Sequence, residues 1–432
     1  MTFWRLKEVL LFAFLTITVL YYFLRFQWGW DQNIVALQVL LFITISGIAV
    51  LRIISGRGTS LHPSFFYIFI AYAAALLLPT YIRGGLAGAL YGIKDYVLPA
   101  LLLLGYSYFI PQKRMYSVFY CISFLGLVVS VVYFAEFVSK NILFTGYFNY
   151  TEGIRELSSA TGADYLAESS FSDGIDSFFR LVGPLSHNNS TATMIAIGSL
   201  STVPLLSSRF RILATLSLAF CMIVLLLTGS RTAAIAVIIG FVYYFRDKWV
   251  SIIFALSILI SIFIAISLIV PAFMEVINIT GLASASEAIL SEATNLGPDR
   301  LYNLLIGSGY NFPGFDNTYK AFNGPVLNDD LFIIQLFTTY GLLPVSLFFF
   351  CVVRMRSIPK NSQNYRFFNA ANAILICLTV TLVHTNALIR PQIYPVFFLM
   401  IVIKYVIHKK HQEDILSEQK NEDILNNNNY GR

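Results

Sequence analysis

Apolar runs of membrane-spanning length recur along the whole 432-residue chain, and no other feature restricts its fold so strongly. A helix needs about 20 apolar residues to cross roughly 30 Å of hydrocarbon, each residue rising ~1.5 Å. The runs predict spans at roughly 8–24, 33–51, 62–82, 95–111, 115–138, 181–206, 212–227, 232–245, 249–273, 331–353, 367–388 and 391–407. Only 12% of the residues are charged, against about 25% in soluble domains. No polar stretch is large enough for an independent soluble domain. The expectation is an all-α, polytopic membrane protein of about twelve transmembrane helices over residues 1–410, followed by a polar tail at 411–432. The first run follows Arg5 and Lys7 but ends in Tyr21-Tyr22-Phe23 without a small-residue cleavage site, so it is expected to be a retained helix.

Charge orients the spans. With the N-terminus inside, most of the 29 lysines and arginines fall in cytoplasmic segments, among them Arg5, Lys7, Arg52, Arg57, Lys113, Arg114, Arg209, Arg211, Arg246, Lys248, Arg354, Arg356, Lys360 and Arg366. Short loops of that kind are where the positive-inside rule operates. Both termini are then cytoplasmic, and most of the 23 acidic residues lie outside. The net charge of +6 is orientation signal, which argues against nucleic-acid binding.

Two external loops, about 139–179 and 274–328, exceed the length of simple connectors. They mix aromatic residues, glycines and balanced charges (Tyr147, Tyr150, Glu152, Arg155; Tyr302, Tyr310, Phe312), a composition that suits folded lids. The tail after His408, ending Asn426–Asn429, is polar and is expected to be disordered. Cys121, Cys221, Cys351 and Cys377 all fall inside apolar runs without metal spacing, and read as small core hydrophobes.

Counting along the helices places the remaining polar residues by depth. The hairpin spanning 212–245 has arms of only about 24 and 21 Å, against roughly 30 Å of hydrocarbon. Its tip, Thr228-Gly229-Ser230-Arg231, is expected to stop short of the outer surface. An arginine in hydrocarbon costs at least ~2.5–3.5 kcal/mol, so Arg231 either snorkels to the interface or faces an anion in a wet cavity; the short arms favour the second. The same counting brings His187, His384 and Asp330 to the external mouth, with Arg180, Arg300 and Arg390 beside it. Arginine binds phosphate oxygens bidentately at any pH, and several together suit a diphosphate. Each residue also has an ordinary reading. His187 suits a hydrogen-bonded helix start, His384 a helix end, and Asp329 with Asp330 a helix N-terminus favoured by the dipole.

Four segments together resemble the O-antigen polymerase and ligase superfamily. Phe179-Arg180-Leu181-Val182-Gly183-Pro184-Leu185-Ser186-His187-Asn188-Asn189 is similar to the start of that family's central helix. Leu227-Thr228-Gly229-Ser230-Arg231-Thr232 resembles its arginine-bearing hairpin. Asp299-Arg300-Leu301-Tyr302, with Gly307-Ser308-Gly309-Tyr310, looks like the motifs of its large periplasmic loop. Asn328-Asp329-Asp330, Gln335 and Gly341-Leu342-Leu343-Pro344 look like the end of that loop.

The resemblance implies a GT-C-like bacterial inner-membrane enzyme of the Wzy type. Such proteins transfer a glycan from undecaprenyl diphosphate onto another lipid-linked repeat unit in the periplasm, building O-antigen or capsule. It implies Arg180, Arg231 and Arg300 on the diphosphate and leaves the base among Asp330, Asp329, His187 and His384; by their external position His384 and Arg390 are further candidates for the substrate site. Asp330 is the first choice and His187 a further catalytic candidate. No cofactor and no metal are implied; the partners are the lipid-linked oligosaccharide, membrane lipid, a chain-length regulator and a flippase. Ligases of the superfamily place a histidine where this chain has Asp330, which favours a polymerase over an O-antigen ligase. A non-enzyme alternative is a flippase or transporter for the same lipid-linked oligosaccharide, although no internal repeat of the kind transporters carry is visible.

Overall fold

The computed structural model describes residues 6–20, scattered positions between 37 and 51, residue 110, and residues 115–139, 183–185, 188–208, 210–246, 362, 364–381 and 393–430. Among these residues the regular elements are all helical. They are α1 (Leu6–Val19), α2 (Met115–Ser139), α3 (Asn188–Thr202), α4 (Arg211–Leu227), α5 (Arg231–Tyr244), α6 (Tyr365–Thr381) and α7 (Tyr394–Tyr430). A short 3-10 turn, Val203–Leu205, closes α3 at Pro204, whose missing N–H ends the α-helical ladder. Met115–Val138 is long and apolar enough to cross a membrane; Glu8–Val19, Arg211–Leu227 and Thr232–Tyr244 are shorter apolar helices.

Helices α2, α4 and α5 match the spans expected at 115–138, 212–227 and 232–245 almost residue for residue. Two expectations are corrected. Within the run at 181–206, Gly183-Pro184-Leu185 is a buried turn rather than helix, and α3 starts at Asn188. Gly183 has φ 72°, and a Cβ there would lie 2.6 Å from Thr191 Oγ1, so only glycine lets the turn close on α3. The tail expected to be disordered is instead helical, since α7 runs without a break to Tyr430. Good helix formers (Glu413, Leu416, Glu418, Gln419, Lys420) and a Lys409–Glu413 ion pair of 3.7 Å support it. Polarity had suggested disorder where helix propensity decides.

Cross-helix contacts fix the directions. Ser123 Oγ lies 2.6 Å from Thr202 Oγ1, and Tyr120 Oη 3.1 Å from Ser208 Oγ, so α2 and α3 are antiparallel. Tyr120–Phe210 and Phe134–Phe220 ring contacts make α2 and α4 parallel. Ser230 meets Asn189, and Gly240 meets Leu200, so α3 and α5 are parallel. Asn369 Nδ2 donates to the Tyr244 carbonyl (2.7 Å) and Gly240 abuts the Ala373 carbonyl, so α5 and α6 are antiparallel. From α2 to α5, helices adjacent in the sequence thus alternate in direction.

Helix α3 is the post around which α2, α4, α5 and α6 pack. Every residue from Ser190 to Leu205 is buried, although α3 is rich in serine and threonine. Three of its hydroxyls turn back on their own helix: Thr193 donates to Asn189 O (2.7 Å), Ser199 to Ile195 O (2.9 Å) and Thr202 to Gly198 O (2.8 Å). Small side chains let its neighbours approach closely, as in helix packing within lipid. The tightest point is the crossing with α2. A Cβ built on Gly126 would lie 2.5 Å from Gly198 Cα, and one on Gly198 2.6 Å from Gly126 Cα. The outer faces carry exposed apolar side chains: Phe124, Val131 and Val138 on α2, Ile212, Leu213 and Leu216 on α4, Ile235 and Ile239 on α5. Cys121, Cys221 and Cys377 are buried free thiols, as expected of core hydrophobes; Cys351 lies outside the described residues.

Gly198→Leu is expected to force α2 and α3 apart and to cost about 1–3 kcal/mol or more. Thermal unfolding in detergent checks it. The midpoint should fall for Gly198→Leu and stay in place for Gly47→Ala, whose Cβ would meet nothing within 4 Å.

Candidate functional site

The two ends of the α2–α7 bundle differ in charge. At one end stand Arg211, opening α4, Arg246 after α5, and Arg366 in the first turn of α6, with Lys404 of α7 close by. Arg246 lies 4.2 Å over the Tyr243 ring, Arg366 hydrogen-bonds Ser207 Oγ, and Lys404 lies 5.6 Å from the Phe368 ring. At the opposite end, Arg231 is the one basic residue that the described parts of these helices place there.

Arg231 stands at the end of a four-residue device. Thr228 ends α4, its backbone N–H bonding Val224 O (3.0 Å) and its hydroxyl Leu225 O (2.6 Å). Gly229, at φ 64°, takes the left-handed conformation that terminates a helix, and its N–H bonds Leu226 O (3.1 Å). Ser230 is extended at the N-cap of α5, and Arg231 is the first helical residue. Ser230 Oγ does not cap its own helix; it hydrogen-bonds Asn189 Oδ1 in the first turn of α3 (3.1 Å). The tip is held inside the protein, with Thr228 0% and Ser230 4% exposed.

The 17-residue α4 and 14-residue α5 measure about 25 and 21 Å by helical rise. The short-armed hairpin expected from the sequence is thus present, and its tip is tied to α3. The tie brings the N-termini of two parallel helices, α3 and α5, to one level. Helix N-termini carry partial positive charge and unsatisfied N–H groups, and so favour anions. Ser190, in the first turn of α3, is wholly buried, and its hydroxyl has no hydrogen-bond partner among the described residues.

One residue at this level was passed over in reading the sequence. Glu136, 1% exposed, lies in the last turn of α2. It hides in the apolar stretch Phe134-Ala135-Glu136-Phe137-Val138, and an ionisable residue inside a spanning run was the signal that marked it. The expected site residues Arg180, His187, Arg300, Asp329, Asp330, His384 and Arg390 lie outside the described residues, as does the side chain of Arg231. Among the described residues, no group of three His, Cys, Asp or Glu is placed to hold a metal ion.

The chain matches no family model, no curated protein and no solved structure.

Proposed function

We propose that the chain is a multi-pass enzyme of the bacterial inner membrane that polymerises undecaprenyl-diphosphate-linked oligosaccharide repeat units on the periplasmic face. Its fold is a GT-C-like bundle of about twelve spans with two large periplasmic loops. The observation that carries the reading is the position of Arg231. It opens α5 at the end of the bundle opposite Arg211, Arg246 and Arg366, on a hairpin tip buried against the α3 N-terminus. A basic residue at that end runs against the orientation signal of Arg211, Arg246 and Arg366, which favours an anion-facing role. The exposed apolar faces of α2, α4 and α5 suit a lipid surround.

In this reading the lipid-linked donor sits in the outer leaflet with its diphosphate at the Arg231 end, joined by Arg180 and Arg300. An acceptor hydroxyl attacks the donor's anomeric carbon. The new glycosidic bond forms as the bond to the diphosphate oxygen breaks, and the electron pair leaves on the diphosphate. The arginines stabilise that charge, and Asp330 takes the hydroxyl proton. His384 and Arg390 complete the substrate site, and His187 is the second candidate base. The membrane supplies the donor, and a flippase and a chain-length regulator are its partners.

Arg231→Ala is expected to lower chain extension by about 10²-fold or more, the scale for removing one stabiliser of developing charge. Surface-polysaccharide gels should show single capped repeat units without long chains. Normal long chains from a stably inserted variant sink the assignment; loss of single units as well, in a deletion strain, points to a ligase or a flippase. Reporter fusions after residues 155 and 300 should report the periplasm, and one after Arg356 the cytoplasm. The reverse pattern overturns the orientation.

A further inference from the structure

The basic end of the bundle is built more tightly than an orientation signal requires. Charge in a short loop biases insertion wherever its side chain points, whereas here two guanidinium groups are held by direct contacts. Arg246, just after α5, lies 4.2 Å over the Tyr243 ring and hydrogen-bonds the side chain of Tyr365, the first residue of α6. Arg366, the next residue of α6, lies 4.7 Å over the Phe367 ring and donates from Nη1 to Ser207 Oγ, in the turn between α3 and α4. Its charge also acts on the Tyr244 hydroxyl, two residues before Arg246. The two arginines therefore meet across the α5–α6 junction, which Asn369 Nδ2 ties to the Tyr244 carbonyl at 2.7 Å.

Nothing acidic balances them. Among the described residues no carboxylate lies within ion-pair distance of either arginine, and the first turn of α6 has no acidic residue. That turn is the positive end of its helix dipole, where a cation is destabilised. Two like charges held there repel each other as well, and a bound anion relieves both effects. The planar arginine fork matches phosphate oxygens in particular.

The surroundings point to the source of the phosphate. Tyr120 Oη and Ser208 Oγ meet at 3.1 Å next to Ser207, and Tyr243 and Tyr365 add rings of the kind that lie at headgroup level. Arg211, whose N–H bonds Ser208 O at 3.2 Å, opens α4 from the same turn. Phe210, Ile212, Leu213 and Leu216 follow along α4 as exposed apolar side chains. Hydroxyls and guanidiniums beside an exposed apolar face suit a phosphate that carries acyl chains; free phosphate would use only the polar part.

We propose that Arg246 and Arg366, with Arg211 at the edge of the same turn, form a binding site for an anionic phospholipid of the cytoplasmic leaflet. The headgroup phosphate lies on the guanidiniums and an acyl chain runs along α4. Basic sites between spanning helices on the cytoplasmic side hold such headgroups. The site stands at the end of the bundle opposite Arg231, and it rests on the membrane orientation rather than on the polymerase chemistry. The bound lipid bridges the α5–α6 junction and the α3–α4 turn.

The test is native mass spectrometry of the full chain released from nanodiscs of phosphatidylglycerol and phosphatidylcholine in equal amounts. The unaltered protein should retain phosphatidylglycerol over phosphatidylcholine by about tenfold, and R246Q/R366Q should retain the two equally. K409Q/K410Q removes the same charge from the same end of the bundle and should leave the preference in place. Equal retention by the unaltered protein overturns the site. The same loss in both double variants shows diffuse surface charge and overturns it too. Added inorganic phosphate should leave the phosphatidylglycerol bound; its displacement marks a site for free phosphate and overturns the lipid assignment. If R246Q/R366Q does not insert, R246K/R366K decides, since it keeps the charge without the planar fork. A weakened preference then supports the site, and an unchanged one overturns it. Each of these results leaves the role of Arg231 untouched.

Discussion

The bundle depends on burying α3, a helix with hydroxyls on every side. Hydroxyls transferred from water to an apolar surround cost free energy unless they are hydrogen-bonded. In α3, Thr193, Ser199 and Thr202 bond carbonyls one turn earlier in the same helix, and Thr202 also meets Ser123. For these three residues the solution is largely local, and the neighbouring helices can close on α3 through glycine and alanine. The Gly126–Gly198 crossing and the wedge of Gly240 against Leu200 and the Ala373 carbonyl are its results. Close approach in turn sets the register, because a contact between two backbones tolerates little sliding.

Register then determines what stands at each end. The same antiparallel and parallel pairings that gather Arg211, Arg246 and Arg366 at one end bring the N-termini of α3 and α5 together at the other. The Ser230–Asn189 bond matters for that reason. An N-cap serine ordinarily satisfies its own helix, but here its hydroxyl is spent between helices. The first N–H groups of α5 are left without that cap, at the level where α5 opens with Arg231. Fixing a hairpin tip to the central helix and leaving a helix N-terminus uncapped are two effects of a single hydrogen bond.

Much of this was legible from residue order. Apolar run length placed α2, α4 and α5 to within a residue, because in each the run is bounded by chain-reversing or basic residues: Thr228-Gly229-Ser230 between the arms, Arg246 at the far side. The short arms of the hairpin followed from the same run lengths. Other features were not legible. The turn at Gly183-Pro184-Leu185 is as apolar as the helix after it, so hydropathy cannot separate them; the positive φ of Gly183 does. The helix from His408 to Tyr430 was hidden by its polarity, since a solvated helix and a disordered tail share a composition. Glu136 was hidden by its apolar neighbours, and became visible once the α2–α3 register put it level with the Arg231 tip.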